Sequence, residues 1–303
     1  MSVVVQNVTR YFGEQKALDD VSFTVSSGEI VGFLGPNGAG KTTMMRIIIG
    51  FLPASSGKVL INGVDISENN RELRKIIGYL PENNPLYPEM YVKEYLGFVA
   101  SLYKMGKKKR TVINDIINIT GLTPEKNKKI GELSKGYRQR VGLAQALIHN
   151  PEILILDEAT SGLDPNQITE IRALIKEAGK AKTVILSTHI MQEVEAVCSR
   201  VIIIDKGIIV ADKPIEKIYS LISRPVQIIN VEFDKNTWES ELSKIAGVIS
   251  AKNIGNNNWQ IEASTSTDIR PELFSFAVNR NLTILSLSKK EYNLEEIFRQ
   301  LTT

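Results

Sequence analysis

Residues 35–43 are Gly35-Pro36-Asn37-Gly38-Ala39-Gly40-Lys41-Thr42-Thr43, and the architecture of the whole chain follows from them. They have the phosphate-binding-loop pattern of a glycine, four residues, and then glycine, lysine and threonine. The segment before the loop, residues 29–34, has the composition of a buried strand, and residues 44–49 after it have that of a helix. This strand–loop–helix context is what the motif requires, so the loop is predicted to bind a nucleoside triphosphate.

The residue types of the loop explain how it would hold phosphate. Gly35, Gly38 and Gly40 allow the backbone to turn so that successive amide N–H groups point at phosphate oxygens. The helix that follows adds the positive end of its dipole. Lys41 is long enough to reach the β- and γ-phosphates, and the hydroxyl of Thr42 is a suitable ligand for Mg²⁺. All nine residues of the loop are therefore candidate nucleotide-binding residues.

Composition limits the classes of protein to which the chain can belong. Its 303 residues are enough for one large α/β domain and a smaller second one. The net charge of +3 is too small to indicate a nucleic-acid partner, and the basic run Lys107-Lys108-Lys109-Arg110 is interpreted as the solvated start of a helix. The single cysteine, Cys198, excludes a disulfide within the chain.

No segment of the sequence is predicted to cross a membrane. Residues 1–7 lack the basic region, apolar core and cleavage site of a signal peptide. No apolar run reaches the roughly 18 residues that a spanning helix needs. Association with a membrane surface is a separate question that these patterns leave open.

Two predicted strands end in polar residues that suit catalysis. Residues 153–156 form a continuous apolar run, typical of a strand buried on both faces, and Asp157 and Glu158 follow it directly. Residues 183–187 form another buried strand, and His189 lies just beyond its end. Ligands of open α/β sheets bind at the carboxyl ends of strands, so these side chains are candidates for metal binding and catalysis.

A mostly helical region separates the loop from the acidic strand. From Val92 to about His149 the apolar periodicity is helical, with lysine-rich interruptions. The last helix of this region begins near Ser134, which is predicted to be its N-cap. A second N-cap is predicted at Asp164, before Pro165 at the first position of the next helix.

The C-terminal part of the chain lacks the features of a phosphate site. Ser223-Arg224-Pro225 is predicted to be a linker. Beyond it, strands are predicted at residues 226–233, 248–251, 259–263 and 282–287, and helices at 237–245, 268–278 and 294–301. This order indicates a small α+β domain that resembles the ferredoxin-like plan. The predicted domains are residues 1–222, with a helical subdomain at about 82–145, and residues 223–303.

As an ordered set, these motifs resemble the nucleotide-binding subunits of ATP-binding cassette (ABC) transporters over roughly residues 1–220. The resemblance implies an α/β P-loop NTPase of the ABC ATPase class that binds ATP with Mg²⁺. It implies that Asp157 ends the Walker B strand, that Glu158 is catalytic and that His189 is the switch histidine. Phe12 would stack on adenine, with Tyr11 as the alternative. The signature, usually Leu-Ser-Gly-Gly-Gln, corresponds to Leu133-Ser134-Lys135-Gly136-Tyr137, and the D-loop to Ser161-Gly162-Leu163-Asp164.

Three positions or motifs depart from the family's pattern. Ala159 replaces the usual proline after Glu158, and little effect is expected from this change. Glu82 replaces the loop glutamine, which ligates Mg²⁺ and takes part in coupling. Glutamate can still bind Mg²⁺ or a water, but it adds a charge. In the signature, Lys135 and Tyr137 replace glycine and glutamine, whereas Ser134 and Gly136 are retained.

Within the family, the single cassette, the small C-terminal domain and residues 293–298 resemble the ATPases of ABC-2 type exporters. Residues 77–87 are similar to the gliding-motility-associated ATPase of Bacteroidetes. The resemblance implies two kinds of partner, membrane permease subunits and a second ATPase subunit in a homodimer, and no nucleic acid. It also implies a cytoplasmic location, on the cytoplasmic face of the inner membrane.

The expected activity is ATP hydrolysis that powers transport, in the direction of export, through separate membrane subunits. The family's mechanism implies Mg²⁺ ligands at Thr42, Asp157 and Glu82. Glu158 would act as general base, and His189 would hold the γ-phosphate. ATP would lie between the phosphate loop of one subunit and the signature of a second.

Two other functions remain open. One is an ATP-binding regulatory module with little or no turnover, which Glu82 and Tyr137 allow but Glu158 and His189 argue against. The other is a soluble ABC ATPase without a role in transport. Relatives that act in translation usually carry two cassettes in tandem, whereas this chain has one. Relatives that act in DNA repair need a long coiled-coil insertion, and the sequence has no sustained heptads.

Overall fold

The computed structural model describes residues 3–68, 71–218, 226–264, 268–290 and 298. The chain divides into two compact units between Glu216 and Lys217. Three predictions lie outside the described residues, namely the linker at residues 223–225, the domain boundary at residues 222 and 223, and the helix at 294–301 apart from Phe298. Within the described residues, no helix is both long and apolar enough to span a membrane.

The first unit contains two sheets and a set of helices. Its strands are β1 (Val3–Phe12), β2 (Gln15–Val25), β3 (Ile30–Leu34), β4 (Ser56–Ile61), β5 (Val64–Asp65), β6 (Ile77–Leu80), β7 (Ile153–Asp157), β8 (Thr183–Thr188), β9 (Arg200–Asp205) and β10 (Ile208–Pro214). Its helices are α1 (Lys41–Ile48), α2 (Arg71–Lys75), α3 (Val92–Leu102), α4 (Lys109–Ile119), α5 (Lys135–Leu147), α6 (Pro165–Gly179) and α7 (Met191–Val197). A short helix, α8 (Ile215–Ile218), spans the division between the units.

The two sheets of this unit differ in strand direction. One is antiparallel, with the order β2-β1-β4-β5. The other has the order β10-β9-β3-β8-β7-β6, and all of these strands except β10 run parallel. β7 and β8 are buried along their whole lengths. A strand covered on both faces has a continuous apolar run rather than an alternating pattern, which is why the sequence predicts both.

The register of the parallel strands brings their carboxyl ends together. Leu34 of β3 pairs with Thr188 of β8, and Asp157 of β7 pairs with Ser187 of β8. The phosphate loop, Glu158 and His189 follow these three neighbouring strands, so they emerge at the same edge of the sheet. In an open parallel sheet this is the edge at which ligands bind.

The first strand is longer than the sequence predicts. The sequence indicates strands only at residues 3–5 and 21–25, with Arg10, Tyr11 and Phe12 between them, ahead of a turn. In the structure these three residues belong to β1 and pair with β2. Several register shifts interrupt this pairing, so the simple alternation that would reveal a long strand is lost. The helical region between β6 and β7 is present as predicted and consists mainly of α3, α4 and α5.

The second unit contains β11 (Val226–Phe233), α9 (Glu239–Leu242), β12 (Val248–Gly255), β13 (Asn258–Ser264), α10 (Arg270–Asn279) and β14 (Ile284–Lys290). Its four strands are antiparallel, in the order β12-β13-β11-β14. This arrangement is that of the ferredoxin-like plan. The unit has its own apolar core, which includes Phe233, Trp259, Ile261 and Leu273.

Element bounds in this unit differ from prediction for local reasons. The helix expected at 237–245 ends at Leu242, because the N–H groups of Lys244 and Ile245 bond three residues back and tighten the chain into turns. β12 extends to Gly255, since it pairs with β13 as far as Asn258. β14 begins at Ile284 rather than Leu282, whose N–H donates to Ala277 at the end of α10.

Candidate functional site

The phosphate loop connects β3 to α1, and its glycines have different structural roles. Gly40 is the N-cap of α1 with φ of 104°, and a Cβ there would lie 2.6 Å from the carbonyl oxygen of Ala17. A Cβ on Gly35 would lie 2.4 Å from the carbonyl oxygen of Ile204. Both positions therefore require glycine for close packing. Gly38 has φ of 82° and faces open space, which leaves room for a ligand beside the backbone.

Lys41, the first residue of α1, is only 6% exposed. Its Nζ donates to the carbonyl oxygens of Gly35 at 2.8 Å and Pro36 at 3.1 Å. The same atom lies 3.4 Å from Oε1 of Glu158. The ammonium group therefore ties the loop to the end of β7.

Glu158 directly follows β7 and is 6% exposed. Its Oε2 lies 2.7 Å from Nδ1 of His189, whose side chain is 41% exposed. The φ of Glu158 is 52°, in the left-handed region that non-glycine residues rarely adopt, and its N–H donates to the carbonyl of Ser187 at 2.9 Å. Strained backbone of this kind is concentrated at functional sites, and here it aims the carboxylate between a lysine and a histidine.

Asp157, the last residue of β7, is fully buried. The hydroxyl of Tyr79 donates to its Oδ2 at 3.5 Å, and Oδ1 has no hydrogen bond of normal geometry to any described residue. Burial raises the pKa of Asp157, and the nearby hydroxyls of Ser187 and Thr42 partly offset this shift. A buried carboxylate oxygen without a partner is suited to a cation ligand.

One cleft of about 420 Å³ brings several of the predicted residues together. Phe12 lies at the cleft and is 46% exposed, whereas Tyr11 is not among the lining residues. The guanidinium of Arg10 lies 4.8 Å from the centre of the Phe12 ring. The complete lining is Phe12, Gln15, Ala17, Asn37, Gly38, Gly40, Lys41, Thr42, Thr43, Glu82, Glu158, Ser161 and His189.

The signature residues do not line this cleft within the chain. Ser134 is the N-cap of α5, and its Oγ accepts a hydrogen bond from the N–H of Tyr137 at 3.4 Å. Gly136 is buried against Gln167, whose side chain a Cβ on Gly136 would meet at 2.4 Å. Lys135 has its ammonium group against Gly162 of the D-loop. In a single chain these residues are therefore engaged in local structure.

The D-loop aspartate also has a local partner. Asp164 is the N-cap of α6, and its Oδ1 accepts from the N–H of Gln167 at 3.0 Å. Pro165 occupies the first turn of this helix, as predicted. Gln167 thus contacts the D-loop through its backbone and the signature helix through its side chain.

Glu193 of α7 is a residue that the sequence did not single out. It is 1% exposed and accepts hydrogen bonds from the hydroxyls of Thr160 and of Thr188, the latter at 2.7 Å. Burial raises the pKa of Glu193, and the bond from Thr188 and the charge of Arg172 lower it in part. Glu193 therefore joins the segment after Glu158 to the residue before His189. In the sequence, nothing separates it from an ordinary helical glutamate, because its partners lie far away along the chain.

Comparison with known proteins identifies the family. The sequence profile of the ABC transporter family matches residues 18–161. The chain is 32% identical to the bacitracin transport ATP-binding protein BcrA of Bacillus licheniformis, over 99% of this chain and 98% of that protein. It is 30% identical to the linearmycin resistance ATP-binding protein LnrL of Bacillus subtilis (strain 168), over 98% and 97% of the two chains.

A solved structure shares the fold of the first unit. It is the dimeric ATP-binding cassette MJ0796 in a post-hydrolysis state with bound ADP and Pi, which matches with a TM-score of 0.64 and 29% identity, over 70% of this chain and 98% of that one. The predicted fold class, an α/β P-loop NTPase, and the resemblance carried by the motifs are thereby confirmed. The chain belongs to the ABC transporter family, as one of its ATP-binding subunits.

Proposed function

We propose that this subunit hydrolyses ATP in the cleft formed by the phosphate loop, Glu158 and His189. One observation carries the proposal: the buried Glu158 carboxylate lies 3.4 Å from Nζ of Lys41 and 2.7 Å from Nδ1 of His189. A general base must be held within hydrogen-bond reach of the proton that it takes. Glu158 meets this requirement, because the strand end and its two partners fix its position.

Lys41 and His189 have different roles at the phosphates: charge neutralisation and orientation. Lys41 neutralises charge on the β- and γ-phosphates, and its present partners, the carbonyls of Gly35 and Pro36, belong to the same loop. His189 orients Glu158 and contacts the γ-phosphate from its exposed side. Phosphoryl transfer needs mainly positioning and charge stabilisation, and these residues supply both. Phe12, at the edge of the cleft, stacks on the adenine ring.

Mg²⁺ fits the oxygen donors of the cleft. Thr42 and Glu82 line the cleft. Asp157 is buried at the end of β7 and is not among the lining residues, but its Oδ1 has no hydrogen bond of normal geometry to a described residue, and the Thr42 hydroxyl lies near its carboxylate. These three residues would hold the ion. The described residues contain no cluster of three His, Cys, Asp or Glu that could hold a metal alone. That is expected for Mg²⁺ at a nucleotide, which uses one or two protein ligands together with phosphates and water. When bound, the ion would neutralise charge on the phosphates.

A second copy of the chain completes the site. Ser134, Lys135, Gly136 and Tyr137 lie outside the cleft of their own chain, and the related cassette MJ0796 is dimeric. We therefore assign these residues to the nucleotide held by the other subunit. Asp164 lies between the two sites in this arrangement. The relevant form is a homodimer, in which each ATP contacts the phosphate loop of one chain and the signature of its partner.

The dimer drives export through membrane subunits. Support comes from the names of the two relatives, a bacitracin transport protein and a linearmycin resistance protein. Exposed aromatic side chains also occur at the start of the helical region and just before it, at Tyr87, Tyr91 and Phe98, and the Tyr87 and Phe98 rings lie 5.9 Å apart. Exposed aromatic clusters are typical of protein interfaces. The ABC-2 assignment, the location at the inner face of the membrane and the role in gliding motility stay predictions from sequence.

Cross-linking tests the membrane partner. A photo-reactive residue at Tyr87 is expected to cross-link to a membrane protein encoded in the native host, whereas one at Trp238, an exposed aromatic of the second unit, is not. Equal yields of membrane cross-links at both positions would contradict the assignment of this surface.

Removal of the base tests hydrolysis. Glu158→Gln is expected to lower steady-state turnover by about 10²–10⁴-fold, the contribution of a positioned general base, while ATP binding persists. Glu177→Gln, on the exposed side of α6, is the matched control and should keep the parental rate. The assay is phosphate release from Mg-ATP, with a second arm that lacks Mg²⁺ and should show no turnover. If Glu158→Gln turned over ATP at the parental rate, Glu158 would not be the general base. If the parent itself showed no turnover, the ATP-binding regulatory module would be favoured instead.

Glu193 is predicted to position the catalytic segments rather than to bind nucleotide. Glu193→Ala leaves two threonine hydroxyls without their charged acceptor, so kcat should fall by about tenfold or more while KM for ATP changes little. Glu193→Gln, which retains one acceptor oxygen, should recover part of the loss. Far-UV circular dichroism and thermal unfolding of both variants control for folding. A rise in KM with unchanged kcat would show that the contact acts on binding instead.

A further inference from the structure

Arg140 is a largely buried cation on the helix that carries the signature. It lies one turn after Gly136 on α5, and its side chain is 13% exposed. A charge held this far from water needs partners within the protein. Among the described residues, the guanidinium contacts the end of α4, a glutamate of α6 and the ring of Tyr137. Arg140 therefore joins three parts of the chain.

The contact with α4 satisfies the end of that helix. Nη1 of Arg140 donates to the carbonyl of Thr120, the buried C-cap of α4, at 3.0 Å. The last carbonyls of a helix lack partners within it and carry the negative end of its dipole. The next residue, Gly121, has φ of 66°, and a Cβ there would lie 2.4 Å from the same Nη1 atom. The glycine thus leaves the space that the guanidinium occupies.

The contact with α6 links the signature helix to the helix that follows the D-loop. Nη2 of Arg140 forms an ion pair with Oε2 of Glu170. One turn earlier on α6, the side chain of Gln167 packs against Gly136. The N-cap of α6 is Asp164 of the D-loop, so the D-loop and the signature are held beside each other by contacts at successive turns.

The third contact reaches the signature itself. The guanidinium carbon of Arg140 lies 5.7 Å from the centre of the Tyr137 ring, within the range of a cation–π interaction. Tyr137 stands where the family's signature has glutamine, so this contact depends on that departure. The N–H of Tyr137 donates to Oγ of Ser134. Arg140 therefore holds the signature through one of its own residues.

These contacts fix the signature rather than the nucleotide cleft of the same chain. Arg140 is not among the residues that line this cleft, and neither are the signature residues. α4 and α5 belong to the helical region, whereas α6 follows β7. A shift of the helical region against α6 would move the signature, and Arg140 opposes that shift because it is bonded on both sides. Misplacement of a group that acts on substrate by about 1 Å can slow a reaction about 100-fold.

We propose that Arg140 is a positioning residue that sets the signature of its own chain for the nucleotide held in the cleft of the partner chain. It touches no nucleotide itself and acts through Tyr137 and Ser134. This role rests on the proposed function, in which the cleft and the signature of one site belong to different chains. Loss of Arg140 should therefore impair the site to which its chain contributes the signature, and spare the site in its own cleft.

Two mixed dimers that contain the same two substitutions test this assignment. In the first, one chain carries Arg140→Ala and the other carries Glu158→Gln. In the second, one chain carries both substitutions and the other is parental. Chains with different affinity tags allow each mixed dimer to be purified, and the readout is phosphate release from Mg-ATP. A mixed dimer of parental and Glu158→Gln chains gives the rate of a single working cleft.

The first mixed dimer is expected to match this reference rate, because its intact Glu158 receives an intact signature. The second is expected to be slower by about tenfold or more, because its intact Glu158 receives the altered signature. A general effect of Arg140→Ala on folding would slow both mixed dimers equally, and that result would overturn the proposal. A second dimer faster than the first would place the effect in the chain's own cleft and would also overturn it.

A milder variant guards against misfolding of Arg140→Ala. Glu170→Gln removes the charge of the ion pair from a side chain that is 59% exposed, so the fold should persist. In place of Arg140→Ala it should give the same order of the two mixed dimers with a smaller difference. Glu177→Gln, at an exposed glutamate of α6 paired with Lys180, is the matched control and should give equal rates in the two arrangements. Thermal unfolding of each chain checks its stability.

A measurement without turnover separates this proposal from the proposed hydrolysis. Sedimentation of the Glu158→Gln chain with ATP gives the dissociation constant of its dimer. Addition of Arg140→Ala should raise this constant about tenfold, because a residue that orders the interface is lost. ATP affinity of the separate chain should stay the same. If the parent hydrolysed no ATP, the proposed function would fail and this constant alone would decide: an unchanged value would overturn the role of Arg140.

Discussion

The buried carboxylate of Glu158 is the group on which the rest of the site depends. A negative charge this far from solvent needs compensation, and Nζ of Lys41 at 3.4 Å provides it, with His189 at 2.7 Å on the other side. Lys41 begins α1, Glu158 follows β7 and His189 follows β8. The two contacts of this one carboxylate thus hold three chain segments together. A bound phosphate would share Lys41 and leave the carboxylate free to take a proton.

The parallel sheet makes this contact possible. The strand order puts β3 and β7 on either side of β8, so the three carboxyl ends are neighbours although the residues are separated by up to about 150 positions in the chain. Glu193 adds a second layer of support, because Thr160 and Thr188 both donate to it. Through Glu193, Thr160, which directly precedes the D-loop, is linked to Thr188, the residue before His189. This buried link gives a physical route by which a partner subunit at the D-loop could affect hydrolysis.

Sequence predicts the parts of this protein whose physics is local. The phosphate loop, the buried strands that end in Asp157 and before His189, and the caps at Ser134 and Asp164 all follow from short patterns. Contacts between residues far apart in the chain do not follow from short patterns, so the sequence did not distinguish Glu193 from an ordinary helical glutamate. The basic run at Lys107 to Arg110 is another local feature: it was interpreted as the solvated start of a helix, and α4 begins at Lys109 with Lys107, Lys108 and Arg110 exposed. The full length of β1 was also missed, because its register shifts against β2 break the alternating pattern that would reveal a long strand.

In the proposed dimer, the cleft of one chain needs the signature of the other for hydrolysis. The most direct test is the mass of Glu158→Gln in solution, measured by light scattering or sedimentation with and without saturating ATP. Because this variant is expected to bind ATP without consuming it, we expect a monomer without nucleotide and a dimer with ATP. A monomer that persists when ATP occupancy is verified by direct binding would contradict the shared site. It would leave Ser134 and Gly136 with no role beyond the helix that they begin.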